Sequence, residues 1–312
     1  MYHIVTGGAG YIGSHLAEDM VSRGDRVTVI DDLSSGTYMT EGARFVKVDL
    51  RDSAAVGKLD IDGGATIIHL AADPSVKESM EDVIGHFHKD VTATLNVLEL
   101  ARRYDAKAFV FASSSVVYGD ARIIPTKESN LKRPISNYGT FKLMSEHLVE
   151  QYAVSYGIRS TALRLANVVG GRTSHGIIPD IMAKLRLNSS ELEILGDGRQ
   201  QKSYIYITDV ISAINVVVQK PKEGFRALNV GSADSLTVKE MADIICEEMG
   251  VKPVYRYVGA HGGRGWKGDV KVMLLDTTGL RRLGWSPAMS SREAFRQAVR
   301  DLLAAKKKAP GR

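Results

Sequence analysis

The chain carries one cysteine, Cys246, in 312 residues, which excludes an intrachain disulfide framework and any cysteine-based zinc cluster. Aromatic residues are sparse at 7%, and no run of 18 or more apolar residues occurs, so no membrane-spanning helix and no membrane partner are expected. There is also little surplus of charge. Lys306, Lys307, Lys308 and Arg312 supply four of the formal +5, leaving the rest of the chain at +1. A body so close to neutral does not call for nucleic acid, and the basic tail reads as a solvated, frayed end. Met1-Tyr2-His3-Ile4-Val5 runs straight into a glycine turn, without a basic or apolar leader, so a cytoplasmic protein is expected.

What is present is an ordinary globular composition, 44% apolar and 25% charged. That suffices for a full core in one or two domains, without a structural metal. Short β-rich runs at 2–6, 26–30, 44–48, 66–70, 107–112 and 159–164 alternate with helical stretches at 12–23, 91–104 and 137–156. Continuous apolar runs such as Val27-Thr28-Val29-Ile30 suit strands covered on both faces. The pattern predicts an α/β fold with a doubly wound parallel sheet. Beyond Arg164 the rhythm changes to irregular polar stretches with helices at 178–187, 208–219, 237–249 and 290–305. We therefore expect a nucleotide-binding domain over 1–166, joined by about 203–230. A smaller, mostly helical substrate region over 167–312 interleaves with it. The stretch 254–268, with five glycines, reads as a loop over a site.

Gly7, Gly10 and Gly13 form G-x-x-G-x-x-G between the first strand and the first helix. Glycine allows the tight turn and the close approach of a pyrophosphate, while the helix amino terminus offers free N–H groups. Asp31, eighteen residues beyond Gly13, ends the next strand, where an acid binds ribose hydroxyls. Its charge repels a 2′-phosphate, which favours NAD over NADP and makes the unit Rossmann-like. Asp49 follows the third strand, where it suits either adenine binding or a plain turn.

Tyr138 and Lys142 stand at i and i+4, on one face of a helix. Free tyrosine ionises near pH 10, so lowering it to about 7 requires about 4 kcal/mol of stabilisation of the phenolate. The lysine ammonium and a cationic nicotinamide can supply it. Ser113, Ser114 and Ser115 end a strand at the carboxyl edge, where doubly wound sheets bind ligands. One of them suits a proton relay to the tyrosine.

TGGAGYIG at the start, DDLSSG at 31–36, DL at 49–50, HLAA at 69–72, SSSVVYG at 113–119 and YGTFK at 138–142 follow in order. RLANVVG at 164–170 and KGD at 267–269 come after them. With these motifs the chain resembles the extended short-chain dehydrogenase/reductase superfamily, the NAD-dependent epimerase/dehydratase family. Within it, the chain is most similar to the UDP-glucose 4-epimerases. The resemblance implies that Gly7, Gly10, Tyr11, Ile12, Gly13, Asp31, Leu33, Ser34, Asp49, Leu50, Leu70, Ala71, Ala72, Tyr138 and Lys142 contact NAD. It selects Ser114 as the catalytic hydroxyl beside Tyr138 and Lys142. It places Asn167 on the phosphates of a UDP-sugar, and Lys202, Arg264 and Asp269 around the same substrate. It further implies a homodimer through the helices at 91–104 and 137–156.

Related dehydratases carry an Asp-Glu pair directly after the catalytic hydroxyl, where this chain has Ser115 and Val116. Without those acids, oxidation and re-reduction at C4 is the expected chemistry, that of an epimerase. Departures from the family pattern touch substrate choice: Asp73-Pro74 where many members have lysine, Leu165-Ala166 before Asn167, and Lys202-Ser203-Tyr204 where Arg-Asp-Tyr is common. Met273 falls where the family sets the size of sugar substituent, so N-acetylated and 6-carboxylated UDP-sugars stay open. So do a reductase, which would consume stoichiometric NAD(P)H, and an NAD-binding sensor, which would turn over no sugar. His86-Phe87-His88 lacks a third ligand in view, so no metal is expected. Cys246 and Trp285 read as core, whereas Trp266 suits the uridine site.

Overall fold

The computed structural model describes residues 1–173, 175–259, 262, 263, 265 and 268–308. Arg264 and Trp266 lie outside them. Apolar strands and intervening helices build one seven-stranded parallel sheet. Its strands are β1 (Tyr2–Thr6), β2 (Arg26–Asp31), β3 (Arg44–Lys47), β4 (Thr66–His69), β5 (Ala108–Ser114), β6 (Ser160–Leu165) and β7 (Phe225–Val230), ordered β7-β6-β5-β4-β1-β2-β3. The order reverses between β1 and β4, which opens the crevice where such sheets take ligands.

Side-chain alternation divides each central strand between two cores. Val5, Ile68, Val110 and Leu163 enter one, while Ile4, Ile67, Phe109 and Ala162 enter the other. Helices cover both faces. The principal ones are α1 (Tyr11–Ser22), α2 (Ala93–Arg103), α3 (Asn137–Tyr156), α4 (Ile177–Leu187), α5 (Ile207–Gln219), α6 (Val238–Met249) and α7 (Ser291–Lys308). Ser136 caps α3 by accepting the Gly139 N–H at 3.2 Å, and Gly157 ends the helix with φ 70°.

Six strands of the sheet were expected; β7 is the seventh, pairing with β6 from Phe225 opposite Ser160 to Val230 opposite Leu165. The later region also holds small sheets. Val254–Val258 pairs in parallel with Glu191–Leu195, so the first third of the expected glycine-rich loop is a strand. Helix α7 continues through Lys308, so the basic tail is helical further than its composition suggested. A third core, with Ile181, Leu192, Met241, Cys246 and Phe295, holds this region together. Trp285 is buried as expected, its indole N–H donating to the Asp209 carbonyl at 3.2 Å.

Beneath the crevice Arg164 and Glu146, 2% and 3% exposed, form a buried ion pair with contacts of 2.6 and 2.9 Å. Arg164 also donates to the Tyr118 hydroxyl at 2.8 Å and the Glu128 carbonyl at 3.0 Å. Tyr118 in turn donates to Asn229, whose amide reaches the Thr126 and Asp276 carbonyls. Removing one partner of such a pair leaves an uncompensated buried charge. Arg164→Met is expected to lose about 3–5 kcal/mol in urea unfolding, and Arg164→Met with Glu146→Leu to recover much of it. Equal destabilisation in the single and double variants would show that the pair is not the cause.

Candidate active site

All seven strands run the same way, so the segments leaving β1, β2, β4, β5 and β6 meet at one edge of the sheet. Gly7 leaves β1 with φ 67°, and a Cβ there would sit 2.7 Å from the Ala71 nitrogen, leaving β4. A Cβ on Gly13 would lie 2.1 Å from the Gly7 carbonyl oxygen. Gly10 differs, because its nearest obstacle lies at 3.2 Å and nothing else crowds it. The turn is therefore sealed behind Gly7 and Gly13 and open in front of Gly10, a cradle that fits the pyrophosphate of a dinucleotide.

Asp31 is 8% exposed and bridges two turns, accepting Ala9 N–H at 3.0 Å and Leu33 N–H at 2.8 Å. Burial pushes its carboxyl above the usual range, against those two hydrogen bonds. Leu33 holds φ 63°, a left-handed conformation that costs about 1–3 kcal/mol in a non-glycine residue and marks functional turns. Ser34 donates its N–H to Asp32. Gly36, which motif reasoning did not single out, presses on Ala9; a Cβ there would meet its carbonyl at 2.3 Å. Tyr11 and Ile12 pack half-buried against the core, as does Leu70, beside half-buried Ala71 and Ala72. Leu50 is buried. Asp49 is bound bidentately by Arg51, at 2.7–3.0 Å, so a role toward adenine must share that carboxylate.

Three consecutive residues at the end of β5 address three residues of α3 spaced by four. The Ala112 carbonyl accepts Lys142 Nζ at 3.0 Å. Ser113 Oγ donates to Glu146. Ser114, whose Oγ accepts the Val116 N–H at 3.4 Å, stands beside the Tyr138 hydroxyl and favours its ionisation. Of the three serines, Ser114 is the one whose side chain acts on the tyrosine, while Ser113 is held by Glu146. Lys142 is 3% exposed, with Nζ 5.7 Å from the centre of the Tyr138 ring. Burial lowers its pKa, and nearby Asp90 and Glu146 oppose that. Tyr138 is 8% exposed, and burial, reinforced by Asp90 and Asp73, raises its pKa further above 10 while the Ser114 bond lowers it. A free tyrosine ionises near pH 10. The folded chain starts from a more reluctant one.

Behind the pair, His69 accepts from Thr6 at 2.6 Å and donates to Thr94 at 3.0 Å, since Thr94 itself donates to the Asp90 carbonyl at 2.5 Å. Burial lowers the His69 pKa to about 3, so it is neutral. Ser79 accepts the Tyr138 N–H at 3.1 Å and fixes the start of α3. Asp73 stands at the position of the expected family lysine and is bonded to Lys89 at 2.7 Å and to His86 at 3.4 Å. Asp73, Glu78 and His86 hold their polar atoms within 4.8 Å of one another, but the Lys89 ammonium already occupies Asp73. His88 instead bonds Thr92. Ser79 and Asp90 were not legible as site residues, because each reaches α3 through tertiary contact alone; Asp73 stood out only as a departure from the family pattern.

On the substrate side, exposed Asn167 is anchored through its amide to the Ser203 carbonyl at 3.1 Å. Lys202 and Asp269 are brought together as an ion pair at 2.7 Å, with Lys202 also on the Val270 carbonyl. Met273 is buried in the core beside them.

The sequence matches the NAD dependent epimerase/dehydratase family over residues 3–231. The chain belongs to that family. The UDP-glucose 4-epimerase of Mycolicibacterium smegmatis is 31% identical over 311 residues, covering 96% of this chain and 97% of that protein. A crystal structure of a UDP-galactose 4-epimerase superposes with a TM-score of 0.88 at 42% identity, covering 99% of this chain and all of that one. A UDP-glucose 4-epimerase from Thermotoga maritima, solved with UDP-glucose, gives 0.87 at 30% identity, covering 99% and 100%.

Because the obstacle behind Gly13 is backbone, Gly13→Ala cannot be relieved by a rotamer change. It is expected to weaken NAD binding at least about tenfold, the equivalent of about 1.4 kcal/mol, in calorimetric titration. Unaltered NAD affinity would show that the turn is not the cofactor cradle.

Proposed function

We propose that the chain interconverts UDP-glucose and UDP-galactose by NAD-dependent epimerisation at C4, through a transient 4-keto sugar. The observation that carries this reading is the register of β5 on α3. It brings Ser114 beside Tyr138 and holds Lys142 one turn away on the Ala112 carbonyl, in a turn whose next residues, Ser115 and Val116, offer no acid. The family names NAD as its cofactor and the relatives are UDP-sugar 4-epimerases.

Bound in the glycine cradle, NAD would supply the hydride acceptor for C4 oxidation and the donor for its re-reduction. Tyr138, relayed by Ser114, removes the proton of the 4-hydroxyl and gives one back, and Lys142 favours the phenolate. Gly7, Gly10, Tyr11, Ile12 and Gly13 hold the pyrophosphate side, and Asp31, Leu33 and Ser34 the adenosine ribose. Asp49 and Leu50 flank the adenine, and Leu70, Ala71 and Ala72 line the floor. Asn167, Lys202 and Asp269, with Arg264, anchor the UDP while the keto sugar turns over. Residues 1–166 with about 203–230 form the cofactor unit, an assignment supported by β7 completing the sheet and by α5 bonding α1 through Asn215 and Asp19 at 2.8 Å. Residues 167–312 supply the remaining substrate surface.

The decisive assay is UDP-galactose turnover with no added cofactor. Tyr138→Phe is expected to lose about 10²–10⁴-fold in kcat with KM little changed. A near-normal rate in that variant, or a demand for stoichiometric NAD(P)H, would sink the reading.

We also propose a cytoplasmic homodimer through α2 and α3. The buried free thiol of Cys246 suits a reducing compartment. Exposed Leu95, Met144, Val154 and Tyr156 give the two helices an apolar outer surface. Val154→Glu with Met144→Glu is expected to sediment as a monomer. An unchanged sedimentation coefficient would move the interface elsewhere.

A further inference from the structure

The catalytic reading leaves the buried carboxyl of Asp90 unused. The helix Val83–Phe87 passes through a π turn, His88–Thr92, before α2 begins, and Asp90 lies within that turn at 1% exposure. Such turns inside helices frequently occur at functional positions. The Asp90 carbonyl accepts hydroxyls from Thr94 and, at 3.3 Å, from Ser145 on α3. Together with the Ser79 bond to Tyr138 N–H, these anchors bracket the turn of α3 that carries Tyr138 and Lys142. The Asp90 side chain is underused. Oδ1 accepts only the Asp73 N–H, at 3.2 Å, and Oδ2 is buried with no hydrogen-bond partner. A carboxylate has roughly four acceptor sites, and leaving them empty in a dry interior is costly.

The charged and titratable groups around it come from three segments. Asp73 lies after β4, His86 lies one turn earlier on the same helix, and α3 contributes Lys142 and Tyr138. Asp73 is matched by Lys89 at 2.7 Å, with His86 Nε2 3.4 Å away. Glu146, the other acid near Lys142, is matched by Arg164. Among the described residues near the tyrosine, that leaves Asp90 and Lys142 as the charges with no ion-pair contact of their own.

We propose that Asp90 is a positioning residue for the reaction: buried against α3 with one oxygen unpartnered, its carboxylate is the counter-charge behind Lys142 and Tyr138, favouring the ammonium and the protonated phenol until opposing positive charge arrives. The proposal rests on the Tyr138–Lys142 reading above. Its sign is definite: a negative charge beside a phenol raises the pH at which it ionises, and beside an amine raises the pH at which it loses its proton. Removing that charge lowers both.

The test compares kcat against pH for the NAD-bound wild type, Asp90→Asn and Ser145→Ala. Tyrosinate ultraviolet absorption of the same holoenzymes is read as a difference from Tyr138→Phe. Asp90→Asn keeps the shape and the Oδ1 acceptor, and is expected to move the midpoint of the acidic limb down by about half to one pH unit, with the tyrosinate titration moving alike. Ser145→Ala removes an anchor without changing charge and leaves the midpoint in place. Asp90→Thr, which also lacks the charge, must reproduce the shift and serves if Asp90→Asn does not fold. An acidic midpoint that stays put in the charge-free variants, whether or not kcat falls, overturns the proposal. The underlying reading fails separately, if Tyr138→Phe remains active.

Discussion

The site depends on where α3 lies against the end of β5, and directional polar contacts set that placement. Ala112, Ser113 and Ser114 each address one of Lys142, Glu146 and Tyr138. Apolar contacts are non-directional and would tolerate a small rotation of the helix. A hydroxyl that must meet a phenol does not, and a misplacement of about 1 Å can cost on the order of a hundredfold in rate. The Glu146–Arg164 pair extends the same registration through Tyr118 and Asn229 to the Asp276 carbonyl in the later part of the chain. One buried polar chain therefore ties α3 to residues well beyond the first two-thirds of the sequence.

Features decided by local chain chemistry were legible in the sequence. The first six strands, the glycine turn and the i, i+4 pairing of Tyr138 with Lys142 each follow from periodicity or from what a glycine permits. β7 was less legible because Phe225, Arg226 and Ala227 are only half-buried, so it lacks the continuous apolar run of a strand covered on both faces. Val254–Val258 was missed for the opposite reason, since the glycines that follow drew the whole stretch into one loop. Asp90 and Glu146 carry no local signal. A buried carboxylate on a helix reads in sequence like any solvated one, and only the fold shows that one has a guanidinium and the other does not.

The cofactor end obeys a different constraint. There, backbone approaches backbone, at Gly7 on Ala71, Gly13 on Gly7 and Gly36 on Ala9. Asp31 ties two of those turns together with its two oxygens, and Leu33 accepts a left-handed conformation to let it. A carboxylate whose geometry is already fixed by two N–H groups has little freedom left to lose on meeting a ribose. The strain and the desolvation are thus borne by the folded chain before any ligand binds. From the later region Arg172 reaches back to Ser14 at 2.9 Å and Glu18 at 2.8 Å, with its guanidinium 4.7 Å from the Tyr38 ring centre. The two regions are therefore joined at this end as well as at the catalytic helix.

Burial acts on Tyr138 and Lys142 in opposite directions, raising one pKa and lowering the other, so both are biased toward their neutral forms. In water this would disable a tyrosine base. In a desolvated crevice the same low polarity strengthens every charge that enters, because the interaction between charges grows as the effective dielectric falls. A group held far from ionisation by burial is thus also the group that responds most to one added positive charge. The arrangement makes the base conditional. Desolvation and the acids behind it raise the Tyr138 pKa, so in the proposed reaction positive charge entering the crevice favours release of its proton. The same desolvation that looks unfavourable for catalysis in isolation is what allows proton removal to be tied to occupancy of the site.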